Sequence, residues 1–185
     1  MPRRVHLCLG HTGATQGRPG AVHVTPKGER FDEVKIVRAY AVHAAELLEA
    51  SGLVVELDGA GSYRSRQRRA AHYGSPYIDC HVNAGWREGW AVRGSVFHAP
   101  HALGGARLAT QLAEHLAPLV GGAKVWDTSP DDWRRHAHSN LMSTGRAPAV
   151  VFEPAFLDCP DHWPVLREPE QIGAVLAAGV LAFLG

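Results

Sequence analysis

The chain has 185 residues, 45% of them hydrophobic and 20% charged, with a formal net charge of +1. That length suits one compact domain with a substantial core, and the near-neutral balance gives no basic field to argue for a nucleic-acid partner. The three cysteines, Cys8, Cys80 and Cys159, are an odd number and form no CxxC pair, so a reducing compartment and no disulfide framework are expected; Cys8 and Cys80 are read as buried small apolar residues, with thiolate metal ligation as the alternative.

Met1-Pro2-Arg3-Arg4 leads directly into Val5–Leu9, an apolar run that reads as the first buried strand. No apolar signal region precedes it, so no secretory signal peptide is expected. Residues 10–28, rich in Gly, Pro and Thr, read as a long loop of the functional kind. From Glu33 to Ser51, Val34, Val37, Tyr40, Ala41, Ala44, Leu47 and Leu48 recur at helical spacing, and Gly52 closes the helix. Leu53–Leu57 reads as a second strand. Ser65 to Tyr73 is a basic helical stretch closed by Gly74-Ser75-Pro76, and Tyr77–Val82 is a third strand. A loop with Trp86 and Trp90 precedes a short strand at Ser95–His98. Leu103 to Val120 carries an apolar stripe of Leu108, Leu112, Leu116, Leu119 and Val120 and predicts an amphipathic helix. Lys124–Trp126 suggests another short strand, Asp127 to Ser143 has no readable period, Ala149–Phe152 is the last strand, and Glu170 to Leu184 the last helix. No stretch reaches the roughly 20 apolar residues of a membrane span, so no membrane insertion is expected.

Strands alternate with helices throughout. This predicts an α/β fold: a single three-layer αβα domain over residues 1–185, with a mixed, mostly parallel sheet and helices on both faces, and no accessory binding module.

Three strand-like runs deliver, at their carboxyl ends, a residue able to bind a metal or move a proton: Val5–Leu9 before Gly10-His11, Tyr77–Val82 with His81 near its end, and Ala149–Phe152 before Glu153. In an open α/β sheet such ends converge on one crevice. There are 12 histidines, so position rather than presence singles out His11 and His81. Two imidazoles, a carboxylate at the start of the first helix and Glu153 as a nearby base make a zinc-type hydrolase site. His98, His101, His136 and His138 are read as solvated or hydrogen-bonded, with one of them a possible cleft residue. Arg64, Arg66, Arg68 and Arg69 are read as a solvated helix face with internal ion pairs. Trp86 and Trp90 are either a substrate platform or loop packing. Asn83 is read chiefly as orienting the loop after His81, with substrate contact as the alternative.

Gly10-His11, Pro19-Gly20-Ala21, His81-Val82-Asn83-Ala84 and Pro148-Ala149-Val150-Val151-Phe152-Glu153-Pro154-Ala155-Phe156-Leu157 together resemble the zinc-dependent N-acetylmuramoyl-L-alanine amidases of the type 3 family. Arg66, Ala70 and the final helix fit too, so the resemblance runs in order over nearly the whole chain. Arg18 departs from it, standing where the family often has an acidic residue. The resemblance implies an αβα domain with a sheet of about six strands, one Zn2+ held by His, Glu and His, and a separate catalytic Glu. His11 and His81 take the histidine positions and Glu153 the catalytic one. Counting back from the helix puts the third ligand on Glu33; counting forward from Pro19-Gly20-Ala21 puts it on Glu29. The helix start is the more rigid support and favours Glu33. The implied reaction is hydrolysis of the amide between N-acetylmuramic acid and L-alanine, so the implied partner is peptidoglycan, both glycan strand and stem peptide, with Asn83 and Trp86 as candidate substrate contacts. A monomer made in the cytoplasm and acting on the wall after release, as a lysin does, is expected. The rival expectations are a zinc amidohydrolase acting on an acyl-amino acid and a non-catalytic wall-binding or activator protein.

Overall fold

The computed structural model describes residues 3–12, 20–91, 93–131 and 134–185. In chain order its elements are β1 (Arg4–Leu9), β2 (Val22–Val24), β3 (Arg30–Asp32), α1 (Glu33–Ala50), β4 (Val54–Asp58), α2 (Tyr63–Tyr73), β5 (Tyr77–Cys80), β6 (Gly94–His98), α3 (Leu103–Val120), β7 (Ala123–Asp127), α4 (Arg135–Ser139), β8 (Ala149–Glu153), α5 (Trp163–Arg167) and α6 (Pro169–Leu184). A 3-10 turn at Pro160–His162 precedes α5.

Six strands form one sheet in the order β4-β1-β5-β8-β6-β7. The β1–β4, β1–β5, β5–β8 and β6–β7 pairs are parallel, and β6–β8 is antiparallel. Helices cover both faces, as the alternation of elements predicts. Side chains along a strand point to opposite faces in turn, and the two cores follow that parity. Val5, Leu7, Leu9, Ile78, Cys80, Val150 and Phe152 face the larger core with residues of α1, α3 and α6. Cys8, Tyr77, Ala149 and Val151 face the smaller one with Ala70 of α2 and Ala137 of α4. Helix α6 packs tightly on α1: a Cβ on Gly173 would sit 2.5 Å from the Tyr40 carbonyl oxygen, so only glycine allows that approach.

The chain leaves β1 through α1 to β4 on one side, then crosses back through α2 to β5 on the other. The strand order therefore reverses at β1, and the crevice beyond the carboxyl ends of β1 and β5 is the usual ligand position of such a sheet. The ladders continue past the strands there. Gly10 N donates to Cys80 O at 2.9 Å and His81 N to Phe152 O at 3.0 Å. Asn83 forms a parallel bridge with Phe156.

The long loop expected over residues 10–28 is corrected in its second half. Val22–Val24 pairs antiparallel with Arg30–Asp32, and the turn between them has Gly28 at φ 83°, the left-handed region that favours glycine. Strands of three residues are too short to show a period. Pro19 and Arg18 lie outside the described residues. Helix α2 starts earlier than expected because Ser62 caps it, accepting a hydrogen bond from Ser65 N at 3.2 Å. Among the described residues no helix is long and apolar enough to cross a membrane.

Candidate metal centre

His11, Glu33 and His81 converge at the strand-order reversal, and one ligand atom from each lies within 4.8 Å of the others. Among the described residues they are the group of this kind. His11 follows β1 in a left-handed conformation, φ 55°. Its backbone N–H donates to the Tyr63 hydroxyl at 3.1 Å. His81 follows β5, with Tyr40 donating to its carbonyl at 2.9 Å. Glu33 opens α1 and is buried.

The Glu33 carboxylate is held at both oxygens. Oε2 accepts from Ala21 N at 2.7 Å, and Oε1 accepts from Val82 N at 3.1 Å. Oε1 also lies 3.2 Å from His81 Nδ1 and 3.4 Å from His11 Nε2. The two rings meet edge to face with centroids 4.9 Å apart. Burial alone would raise Glu33, but hydrogen bonds with His11 and His81 outweigh it and hold the carboxyl well below the usual range. His81 moves the other way. Burial alone would lower it, but the charge of Asp79 and hydrogen bonds to Asp79 and Glu33 hold its protonated form well above the usual range.

Gly10 is required by this geometry, since a Cβ there would lie 2.4 Å from Cys80 O and 2.6 Å from His81 Cε1. Arg66 braces the same loop from below. It is fully buried and donates to five carbonyls, those of Leu9, Thr12, Gly59, Ala60 and Gly61, and to Cys8 Sγ. This corrects its reading as part of a solvated face: buried guanidinium and orphaned loop carbonyls satisfy each other. Arg69 does form the expected kind of surface ion pair, with Asp58.

Glu153 ends β8, opposite Ser95 of β6. Its Oε2 is buried without a hydrogen-bond partner, as is Nδ1 of His11. Burial pushes the Glu153 carboxyl up to about 8, with the His81 charge opposing and those of Glu33 and Asp79 adding to the push. Two imidazoles, one carboxylate and two unsatisfied polar atoms suit a divalent cation, and this donor set fits zinc.

Glu29 is placed elsewhere. It pairs with Arg167 at the surface, at 2.6 and 2.9 Å, so the structure brings Glu33 and not Glu29 to the histidines. His98 pairs with Asp127 at 3.3 Å and His138 with Thr128 at 3.2 Å, both outside the cluster. A cleft of about 740 Å³ is lined by Asn83, two residues past His81, and Ser95, paired with Glu153, together with Arg87, Trp90, Trp126 and Phe156 among others. Asn83 is thus at the cleft, and its Oδ1 also accepts from Ala84 N. Trp86 is not in that lining; its backbone N–H is anchored to Asp158.

Three groups around His81 Nε2 went unread in the sequence: Asp79 Oδ2 at 3.2 Å, Tyr63 OH at 3.3 Å and Asn140 Nδ2 at 3.4 Å. Asp79 carried a signal, because a residue two before His81 on a strand shares its face.

Solved structures share this arrangement of elements. The CwlD amidase of Clostridioides difficile, solved in complex with the GerS lipoprotein, superposes with a TM-score of 0.73 at 20% identity, over 98% of each chain. The catalytic domain of CwlV, an N-acetylmuramoyl-L-alanine amidase of Bacillus (Paenibacillus) polymyxa, gives 0.75 at 18% identity over 98% of each. This chain has the N-acetylmuramoyl-L-alanine amidase fold. The catalytic domain of the CD27L endolysin, which targets Clostridia difficile, has the same amidase fold, at a TM-score of 0.70 and 17% identity over 97% of each chain. No protein-family model and no curated protein matches the sequence.

Proposed function

We propose that this protein is a zinc-dependent N-acetylmuramoyl-L-alanine amidase, hydrolysing the amide between the lactyl group of N-acetylmuramic acid and L-alanine in the cell wall. The observation that carries the proposal is the meeting of His11, Glu33 and His81 beside Glu153 at the reversal point of an amidase fold. His11, Glu33 and His81 would hold the ion. When bound, zinc supplies Lewis acidity to a carbonyl and to a water, and its charge favours the ionised form of a nearby carboxylate. Glu153 takes the proton of the attacking water at Oε2 and returns it to the amide nitrogen as the C–N bond breaks. Burial of that carboxylate suits the role, because a base pushed up from the ordinary carboxylate range is strong enough to work near neutrality. The aromatic cleft beside it has the size and concavity of a ligand site and would seat the polymer flanking the scissile bond.

The test is digestion of purified muropeptides with the zinc-loaded protein, followed by mass spectrometry. The expected products are a free lactyl carboxylate and a stem peptide with a new alanine amino terminus, both lost on chelation. Cleavage at another amide would instead support a different amidohydrolase on the same scaffold.

A further inference from the structure

Asp79 is a fully buried carboxylate that the reaction above does not use. It lies on β5, two residues before His81 and on the same face, with Oδ2 3.2 Å from His81 Nε2. Its other oxygen is buried with no hydrogen-bond partner. A carboxylate so placed is costly unless something answers it, and the imidazole is what answers it here.

The two nitrogens of His81 face opposite ways. Nδ1 looks toward Glu33 at 3.2 Å and Nε2 toward Asp79. A neutral imidazole that gives the lone pair of one nitrogen to a metal must carry its proton on the other. With Nδ1 on the Glu33 side, that proton sits on Nε2 and needs an acceptor. Asp79 Oδ2 is the charged acceptor at that edge, and the bond is charge-assisted. The Tyr63 hydroxyl stands 3.3 Å from the same nitrogen and also receives the backbone N–H of His11 at 3.1 Å. One phenol thus links the ring of one histidine to the backbone of the other. The Asn140 amide, at 3.4 Å, can turn either end toward Nε2.

We propose that Asp79 is a positioning residue for the metal centre. It accepts the Nε2 proton of His81, fixes the tautomer that leaves Nδ1 for the cation, and is seconded by Tyr63, which ties the two histidines to one hydroxyl. The inference rests on the metal reading of His11, Glu33 and His81. Carboxylates behind metal-bound histidines raise ligand basicity and fix ring orientation, and their loss typically costs about 10–100-fold in metal affinity.

The experiment measures zinc affinity by chelator competition for the wild type, Asp79→Asn, Asp79→Ala and Tyr63→Phe, alongside the ring proton of His81 by NMR in the metal-free and zinc-loaded proteins. Asp79→Asn keeps the shape but offers a donor as readily as an acceptor, so it remains informative if Asp79→Ala fails to fold. The expected result is zinc binding weakened about 10–100-fold in Asp79→Asn, with the downfield Nε2 proton of the wild type lost or moved. Tyr63→Phe is expected to weaken binding less. Zinc affinity unchanged within about twofold in Asp79→Asn, with the ring proton unmoved, overturns the positioning role and leaves the metal reading standing, given that 10-fold is the least expected. A wild type that takes up no zinc overturns the metal reading itself, and the positioning role with it.

Discussion

Replacing Gly10 with alanine adds one methyl group at the point where β1 meets the metal centre. That carbon would stand 2.4 Å from the Cys80 carbonyl oxygen and 2.6 Å from His81 Cε1, against 3.4 Å or more for ordinary contact. Relief therefore needs roughly 1 Å of movement in backbone, ring or both. The backbone cannot yield without stretching the Gly10–Cys80 hydrogen bond, 2.9 Å long. The ring cannot yield without leaving Glu33 and Asp79. Inserting a methylene into packed surroundings costs about 1–3 kcal/mol, and for a chain of this size each kcal/mol lowers Tm by about 2–4 °C. Metal sites also tolerate only about 0.5 Å of ligand displacement, so zinc affinity should fall even where the variant folds. Differential scanning calorimetry of the metal-free protein gives the first quantity and chelator competition the second. A Gly10→Ala protein with wild-type Tm and wild-type zinc affinity would show that the loop relaxes at no cost, and the tight approach would lose its meaning.

Glu33→Ala is expected to abolish stoichiometric zinc while Glu29→Ala leaves it in place, as metal analysis of the two purified variants will reveal; the reverse result would move the centre to the other carboxylate. Glu153→Gln is expected to lower kcat about 10²–10⁴-fold with zinc retained, and substantial wall-lytic activity in that variant would remove the residue from the reaction. His6 is fully buried with neither ring nitrogen hydrogen-bonded, and burial lowers its pKa; His162, whose Nδ1 accepts from Phe156 N at 2.9 Å, is lowered by burial too. Both are bases favoured neutral in the folded state, so their contribution is complete above the unfolded value, about 6.5, and is lost as pH falls below it. Urea melts between pH 7 and pH 5 should show that loss, with a smaller slope in His6→Phe, and an identical slope in that variant would contradict it.

The elements that hold the site were readable because they are long or strongly apolar. β1, β5 and β8 are short, mostly hydrophobic runs that lead to His11, His81 and Glu153, and α1, α3 and α6 repeat their apolar positions at helical spacing. The β2–β3 hairpin and α4 were not readable, since three to five residues carry no period. The choice between Glu29 and Glu33 was open because counting through the Gly- and Pro-rich segment gives two answers. It takes the three-dimensional position of α1, whose first residue is Glu33, to bring a carboxylate to both histidines. Arg66 was misread for a related reason: its neighbours Arg64, Arg68 and Arg69 make a cationic run, and only helix phase turns one of the four inward. Asp79 was passed over as one polar residue in an apolar strand, although its parity with His81 was plain in the sequence.

β6 runs against its neighbour β8. In consequence the segment entering it, rather than the one leaving it, stands at the reactive edge of the sheet, and that segment supplies Arg87 and Trp90 to the cleft wall. It spans from β5 over the end of β8, joining two strands that are not neighbours. Insertions or deletions between Arg87 and Ala91 would remodel one bank of the groove while leaving His81 and the Asn83–Phe156 bridge in place. On the proposed function, the wall that would select the polymer is thereby separate from the residues that would break it, and the two can evolve independently.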